Sequence, residues 1–210
     1  MKTVILANGT FPTHHKPLEA LFSAENLVIC DGAYSHLEAL KRRDVPPFYV
    51  VGDGDSLAPE VRKMLGERYI HFPDQETNDM TKAVRFCVAR GWKDLVILGA
   101  TGLREDHTLG NISLLEDYMR EYGCDVQMIT DFGTFSPVKG EASFASFRGQ
   151  QVSVFALSAH PKVTSEGLQY PIDKCLTRLW EGTLNASLGE RFTIKSPSPV
   201  LVYQTHEPKQ

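Results

Sequence analysis

No CxxC pair occurs in this sequence; its four cysteines, Cys30, Cys87, Cys124 and Cys175, are scattered singly. That excludes a zinc ribbon and a thioredoxin-type redox site. It fits buried free thiols in a reducing compartment, with Cys30 and Cys87 inside apolar runs. No apolar run approaches the roughly 20 residues of a membrane helix. The run at the start, Val4 to Ala7, is too short for a secretory signal. A cytoplasmic protein with no membrane partner is therefore expected. A surplus of positive charge is also missing. The 22 Lys and Arg against 26 Asp and Glu give a net charge of −4, which argues against a nucleic-acid partner. Internal repeats and low-complexity tracts are absent.

What is present suits one large domain or two small ones: 210 residues, 42% apolar and 23% charged. Over the first 130 residues short apolar runs alternate with amphipathic stretches. Strands are expected at Val4–Ala7, Leu27–Cys30, Phe48–Val51, Tyr69–Phe72, Leu95–Leu98 and Val126–Thr130. Helices are expected at Leu18–Ala24, Ser35–Arg42, Pro59–Leu65, Asp79–Arg90 and Leu109–Tyr122. Strands that are apolar throughout, separated by helices, predict a parallel sheet covered on both faces. Such sheets bind ligands at the carboxyl ends of their strands. From about residue 131, Gly, Pro, Ser and Thr punctuate short segments. Gln151–Leu157, Arg191–Ser196 and Val200–Gln204 read as strands of a small antiparallel sandwich or barrel.

Three polar loops follow expected strands. Gly52-Asp53-Gly54-Asp55-Ser56 places two carboxylates two residues apart, on one side of an extended chain. Converging carboxylates repel unless a cation lies between them, and Mg²⁺ takes such hard oxygen ligands together with phosphates. Asp residues in a turn that cap the next helix would look the same. Asp74-Gln75-Glu76-Thr77-Asn78-Asp79 opens a helix, where acidic residues also serve capping and the helix dipole. Asp79 there is a candidate third carboxylate. Gly102-Leu103-Arg104-Glu105-Asp106-His107 is neither a Walker A loop nor GxGxxG. It offers a tight loop, a helix N-terminus and a guanidinium suited to phosphate, or simply a capping turn. Asp31 after the second strand could hold a ribose hydroxyl or cap a helix. His14-His15 reads as a solvated loop, and Trp92 and Trp180 as packing residues. Asp31, Asp53, Asp55, Asp79, Arg104 and Asp106 all fall at one sheet edge, which describes a Mg-nucleotide site for phosphoryl or nucleotidyl chemistry.

At these positions the sequence resembles the thiamine pyrophosphokinase family. The matches are Asp31-Gly32-Ala33, Gly52 to Ser56, Asp74-Gln75 with Asp79 and Lys82, and Gly102, Arg104, Asp106 and His107. In the second half, Gly167-Leu168-Gln169-Tyr170 and Gly182-Thr183-Leu184-Asn185 resemble family elements. Leu103 replaces a glycine of the arginine motif, Asn78 stands where many members have Thr, and Leu184 interrupts a Ser-rich segment. The resemblance implies an α/β fold followed by all-β: a Rossmann-like parallel-sheet ATP domain over 1–130, then a β-sandwich thiamine domain over 131–210. It implies Asp53, Asp55 and Asp79 on Mg²⁺, with Arg104 on the phosphates. Asp31, Asp74, Gln75, Asn78, Lys82, Asp106 and His107 are implied around ATP, and Tyr170, Thr183 and Asn185 around thiamine. It also implies a homodimer with thiamine in the cleft between subunits. Two other assignments use the same residues. A nucleotide-sugar transferase would release a nucleoside diphosphate, and a nucleotide- or thiamine-binding regulator would bind without turnover.

Overall fold

The computed structural model describes residues 2–36, 45–157 and 160–208. Contacts group Met1–Ile112 with Tyr122–Asp131 into one unit, and Ser113–Glu121 with Phe132–Gln210 into a second.

Among the described residues the first unit holds six parallel strands: β1 Lys2–Leu6, β2 Asn26–Cys30, β3 Phe48–Gly52, β4 Tyr69–His71, β5 Asp94–Leu98 and β6 Asp125–Ile129. Their order is β4-β3-β2-β1-β5-β6. Val4, Ile5, Leu6, Leu27, Val28 and Ile29 are fully buried on successive positions, so both faces of the sheet are covered. The chain steps outward from β1 to β4, then returns to β1's other side at β5. The sheet therefore has a topological switch point between β1 and β5.

Four α-helices are described: α1 His15–Phe22, α2 Pro59–Leu65, α3 Asp79–Ala89 and α4 Glu105–Tyr122. α3 starts at Asn78, whose side chain accepts the Thr81 N–H at 2.9 Å. It buries Met80, Ala83, Val84 and Cys87 at helical spacing, with Thr81, Lys82 and Phe86 buried beside them, and ends before Gly91 at φ +75°. α4 begins a turn earlier than its apolar pattern suggests, because Glu105 and Asp106 favour the positive end of its dipole. The helix expected over Ser35–Arg42 lies outside the described residues beyond His36. Ser35 and His36 themselves fall in a 3-10 turn, Asp31–His36. His14 caps α1, its ring nitrogen accepting the Lys16 N–H at 3.2 Å.

From Gly133 on, apart from a 3-10 turn at Leu179–Gly182, the regular structure among the described residues is antiparallel strand. The strands are β7 Gly133–Ala145, β8 Gln150–Phe155, β9 Lys162–Glu166, β10 Asp173–Cys175, β11 Asn185–Ala186 and β12 Arg191–Pro208. β12 pairs with β7, β8 and β9, while β10 joins β9 and β11 joins β8. Alternate residues Val152, Val154, Phe192, Ile194, Val200 and Val202 fill the core between them. The two strands expected at Arg191–Ser196 and Val200–Gln204 are one strand, whose register shifts between Ser196 and Val200. Pro197 and Pro199 sit at that irregularity, where no ladder N–H is required.

Candidate active site

The carboxyl ends of β1, β2, β3 and β5 come together with the N-terminal turns of α3 and α4. β1 runs into Asn8-Gly9, where the Gly9 N–H donates to Gly99 O at 2.6 Å and the Thr10 N–H to Thr101 O at 2.8 Å. The loop after β5 is thereby laid directly against the loop after β1, across the switch point. A Cβ on Gly9 would stand 2.5 Å from the carbonyl oxygens of both Gly99 and Thr101. Backbone atoms cannot yield as a side chain can, so Gly9→Ala is expected to cost about 1–3 kcal/mol. Denaturant unfolding checks this, and a midpoint equal to that of the wild type would contradict it.

Asp31 follows β2 and is buried. Its Oδ2 accepts the Gly54 N–H at 2.9 Å, while its Oδ1 has no partner. A Cβ on Gly52 would fall 2.5 Å from the Asp31 carboxyl carbon, so glycine there lets the aspartate fold beneath the Asp53 loop. Burial, and next the charge of Asp79, push the Asp31 carboxyl up from 3.8 to about 6. A carboxyl whose folded pKa is raised contributes most to stability below its unfolded value, and that contribution is lost as pH rises through about 6. In chelator-treated protein, the Tm of Asp31→Asn relative to wild type should therefore climb between about pH 4 and pH 7. A difference that stays flat across that range would contradict the assignment.

Asp53 follows β3. Its Oδ2 lies 2.9 Å from Lys82 Nζ and accepts from Gln75 Nε2 at 3.3 Å, while its Oδ1 accepts the Asp55 N–H at 3.1 Å. The Lys82 hydrogen bond, and then the Asp55 amide, hold the Asp53 carboxyl below its usual range. Lys82 also reaches Asp79 Oδ1 at 3.0 Å, and its side chain is only 2% exposed. Burial alone would lower the lysine's pKa, but the hydrogen bonds it donates to Asp53 and Asp79 outweigh burial and the net shift is upward. Three carboxylates (Asp31, Asp53 and Asp79) against one ammonium leave two negative charges when all are ionised.

Asp53, Asn78, Asp79, Lys82, Arg104 and His107 line one open cleft of about 440 Å³. Arg104 stands at its rim, 73% exposed, paired through two nitrogens to Asp106 at 2.6 and 3.1 Å. Asp31, Asp55, Asp74, Gln75 and Asp106 do not line the cleft. Asp74 is taken up in its own loop, accepting from the Glu76 N–H, the Thr77 hydroxyl and Arg85. Asp55 is exposed, with its backbone N–H turned to Asp53.

Reasoning from sequence missed Asn8, Gly9 and Asn111, which also line the cleft. Asn8-Gly9 follows β1 as Asp31 follows β2, so the strand-end argument reaches it. Asn111 lies four residues after His107, on the same helix face. Its Nδ2 donates to Ala100 O at 2.8 Å and its Oδ1 accepts from Asn78 Nδ2 at 3.1 Å, bracing the β5 loop to the cap of α3.

Donor chemistry decides whether Mg²⁺ fits here. Among the described residues no group of three His, Cys, Asp or Glu side chains is arranged to hold an ion, so Asp53, Asp55 and Asp79 do not form a ready cage. Mg²⁺ usually needs only one or two carboxylates, with water and substrate phosphate completing the shell. Asp53 and Asp79, which line the cleft side by side, and the local negative charge meet that requirement.

The second unit holds the other named residues. Tyr170 is 62% exposed. Asn185 is buried. Its Oδ1 accepts the N–H groups of Tyr170 and Ala186, and its Nδ2 donates to Tyr170 O at 2.6 Å, so its amide clamps the Tyr170 backbone. The Thr183 hydroxyl donates to Trp180 O at 2.8 Å. Trp92 packs with Tyr49, Phe86 and Arg90 as expected, but Trp180 does not pack: it is 65% exposed. Cys30, Cys87 and Cys124 are buried free thiols, and Cys175 is a free thiol on the surface. No described helix is long and apolar enough to cross a membrane.

A cleft at the switch point of a parallel sheet, with carboxylates, a buried lysine and a rim arginine, defines a class of α/β protein fitted to bind and neutralise phosphate groups. The model of the thiamin pyrophosphokinase catalytic domain matches residues 18–128, and that of the thiamin pyrophosphokinase substrate-binding domain matches residues 133–203. The chain belongs to the thiamin pyrophosphokinase family. Among solved structures it resembles thiamine pyrophosphokinase from Bacillus subtilis at 19% identity, with 98% of each chain covered and a TM-score of 0.79. It resembles thiamin pyrophosphokinase from Candida albicans at 19% identity, covering 98% of this chain and 90% of that one, with a TM-score of 0.81. The yeast thiamin pyrophosphokinase matches at 16% identity over 97% and 86% of the two chains, with a TM-score of 0.79. At these identities the likeness establishes the fold. A comparison with curated protein sequences found no match.

Proposed function

We propose that this protein transfers a pyrophosphoryl group from ATP to the hydroxyl of thiamine, giving thiamine diphosphate and AMP. The observation that carries it is the cleft in which Asp53, Asp79, Lys82 and Arg104 meet, within a chain matched by both domain models of the family. The thiamine hydroxyl oxygen attacks the β-phosphorus, the bond from that phosphorus to the α,β-bridging oxygen breaks, and AMP leaves with the oxygen. The hydroxyl proton passes to a carboxylate.

Positioning and charge neutralisation dominate such chemistry. Asp53 and Asp79 would hold Mg²⁺, and Asp55 is the remaining carboxylate of that set. When bound, the ion neutralises phosphate oxygens and aligns the β-phosphorus. Arg104 supplies a forked donor to the phosphates, and Lys82 a second positive charge. Asn78 and His107 line the nucleotide cleft. Asp31, Asp74, Gln75 and Asp106 act from behind by fixing the loops that carry these groups. Tyr170, with an open aromatic face suited to a cationic thiazolium, is assigned to thiamine, and Thr183 and Asn185 shape the backbone around it.

The architecture is read as a Rossmann-like ATP domain over 1–130 and a β-sandwich thiamine domain over 131–210, in a cytoplasmic homodimer. Exposed Leu179, Trp180, Leu184 and Leu188 on the second domain support a self-association surface. Sedimentation should show a dimer at working concentration, and a fully active monomer would remove that assignment. The function itself is tested by nucleotide chromatography after incubation with ATP, Mg²⁺ and thiamine. AMP appearing only when thiamine is present is the expected result. ADP, or any nucleoside diphosphate, in its place would overturn it.

A further inference from the structure

The ammonium of Lys82 stands between two carboxylates, 2.9 Å from Asp53 Oδ2 and 3.0 Å from Asp79 Oδ1. Its side chain is 2% exposed, so water can replace neither the charge nor its acceptors. Asp31 adds a third carboxylate, itself 1% exposed, whose Oδ1 has no partner. Asp79 and Lys82 are three residues apart on α3 and share one helix face. The lysine's flexible four-carbon stem lets its charge move while the helix stays in place.

We propose that Lys82 is a resident placeholder cation, which occupies the position between Asp53 and Asp79 in the free protein and keeps a divalent ion out until nucleotide arrives. The inference rests on the cleft being a magnesium–nucleotide site. An ion entering alone would have to share both carboxylates with an ammonium, and expelling that ammonium would strand a buried charge without an acceptor. Phosphate removes the obstacle. Its oxygens accept the Lys82 ammonium and complete the ion's shell at the same time. Metal therefore enters with the nucleotide and not ahead of it, and the free protein keeps its carboxylates together without metal.

Mn²⁺ serves as the probe, with free ion measured by electron paramagnetic resonance. Without nucleotide, Lys82→Met should bind Mn²⁺ more tightly than wild type by on the order of tenfold, because a like charge competing for the same two carboxylates has been removed. Lys82→Gln keeps polar contacts without the charge and should also bind more tightly, which decides the matter if the methionine variant does not fold. Mn²⁺ should raise the Tm of either variant by more than it raises that of wild type. A lysine with only a structural role would leave ion affinity unchanged or weakened on removal, and that result overturns the proposal. A non-hydrolysable ATP analogue separates the two failures. If Mn²⁺ binds neither protein even with the analogue, the magnesium–nucleotide site itself falls. If it binds with the analogue but the variants gain nothing without it, only the placeholder role falls.

Discussion

Asp53→Asn is expected to lower kcat by roughly a thousandfold, about 4 kcal/mol of barrier, with little change in folding. The substitution keeps shape and removes one negative charge. In the structure that charge anchors Lys82 and lines the cleft beside Asp79. Without it the position between Asp53 and Asp79 loses half of its anionic character, and neutralisation of the phosphates weakens where charge moves during transfer. Asp55→Asn should do less. Asp55 does not line the cleft, and its contribution to Asp53 is a backbone N–H that the substitution leaves intact. Rates of AMP formation, with circular dichroism to verify folding, check both variants. A kcat for Asp53→Asn within about tenfold of wild type would remove it from the centre of the mechanism.

Arg104→Lys is expected to lower kcat/KM for ATP by on the order of a hundredfold while leaving Tm almost unchanged. Arg104 is 73% exposed and its pair with Asp106 lies in solvent, so the pair adds little to stability. Its guanidinium is nevertheless held by two parallel hydrogen bonds, which fix the fork at the cleft rim before any ligand arrives. Lysine offers a point charge and cannot reproduce two parallel donors. Retention of kcat/KM within about twofold would exclude a role for the fork in the transition state.

The parallel sheet is legible in the sequence because strands buried on both faces are apolar without interruption, as Leu27–Cys30 and Leu95–Leu98 are. Pro59–Leu65 is legible because proline opens the helix at its first turn. β7 escapes such reading because Gly133, Pro137 and Gly140 punctuate it like a loop, and only its pairing with β12 makes it a strand. β9 escapes because Val163 is its single buried residue. The strand-end aspartates are visible one by one, each also explicable as a cap. What their spacing cannot reveal is division of labour: Asp53 and Asp79 line the cleft, Asp31 lies behind it, and Asp74 is spent on its own loop. A buried lysine is rarer still to foresee. Lys82 is tolerated inside only because residues from β3's end and its own helix supply two carboxylates, and that meeting is a product of tertiary structure. Asn185 shows the reverse case, a polar residue that looks free to bind ligand but whose amide is engaged with the backbone around Tyr170.

The attack of the thiamine hydroxyl on the β-phosphorus is tested most directly with ATP carrying heavy oxygen at the α,β-bridge. If that bond breaks at the β-phosphorus, mass spectrometry will find the label wholly in AMP, and the thiamine product will gain two phosphoryl groups in one step without label. A thiamine product that gains one phosphoryl group, or a label that stays with the transferred group, would contradict the mechanism proposed for this cleft.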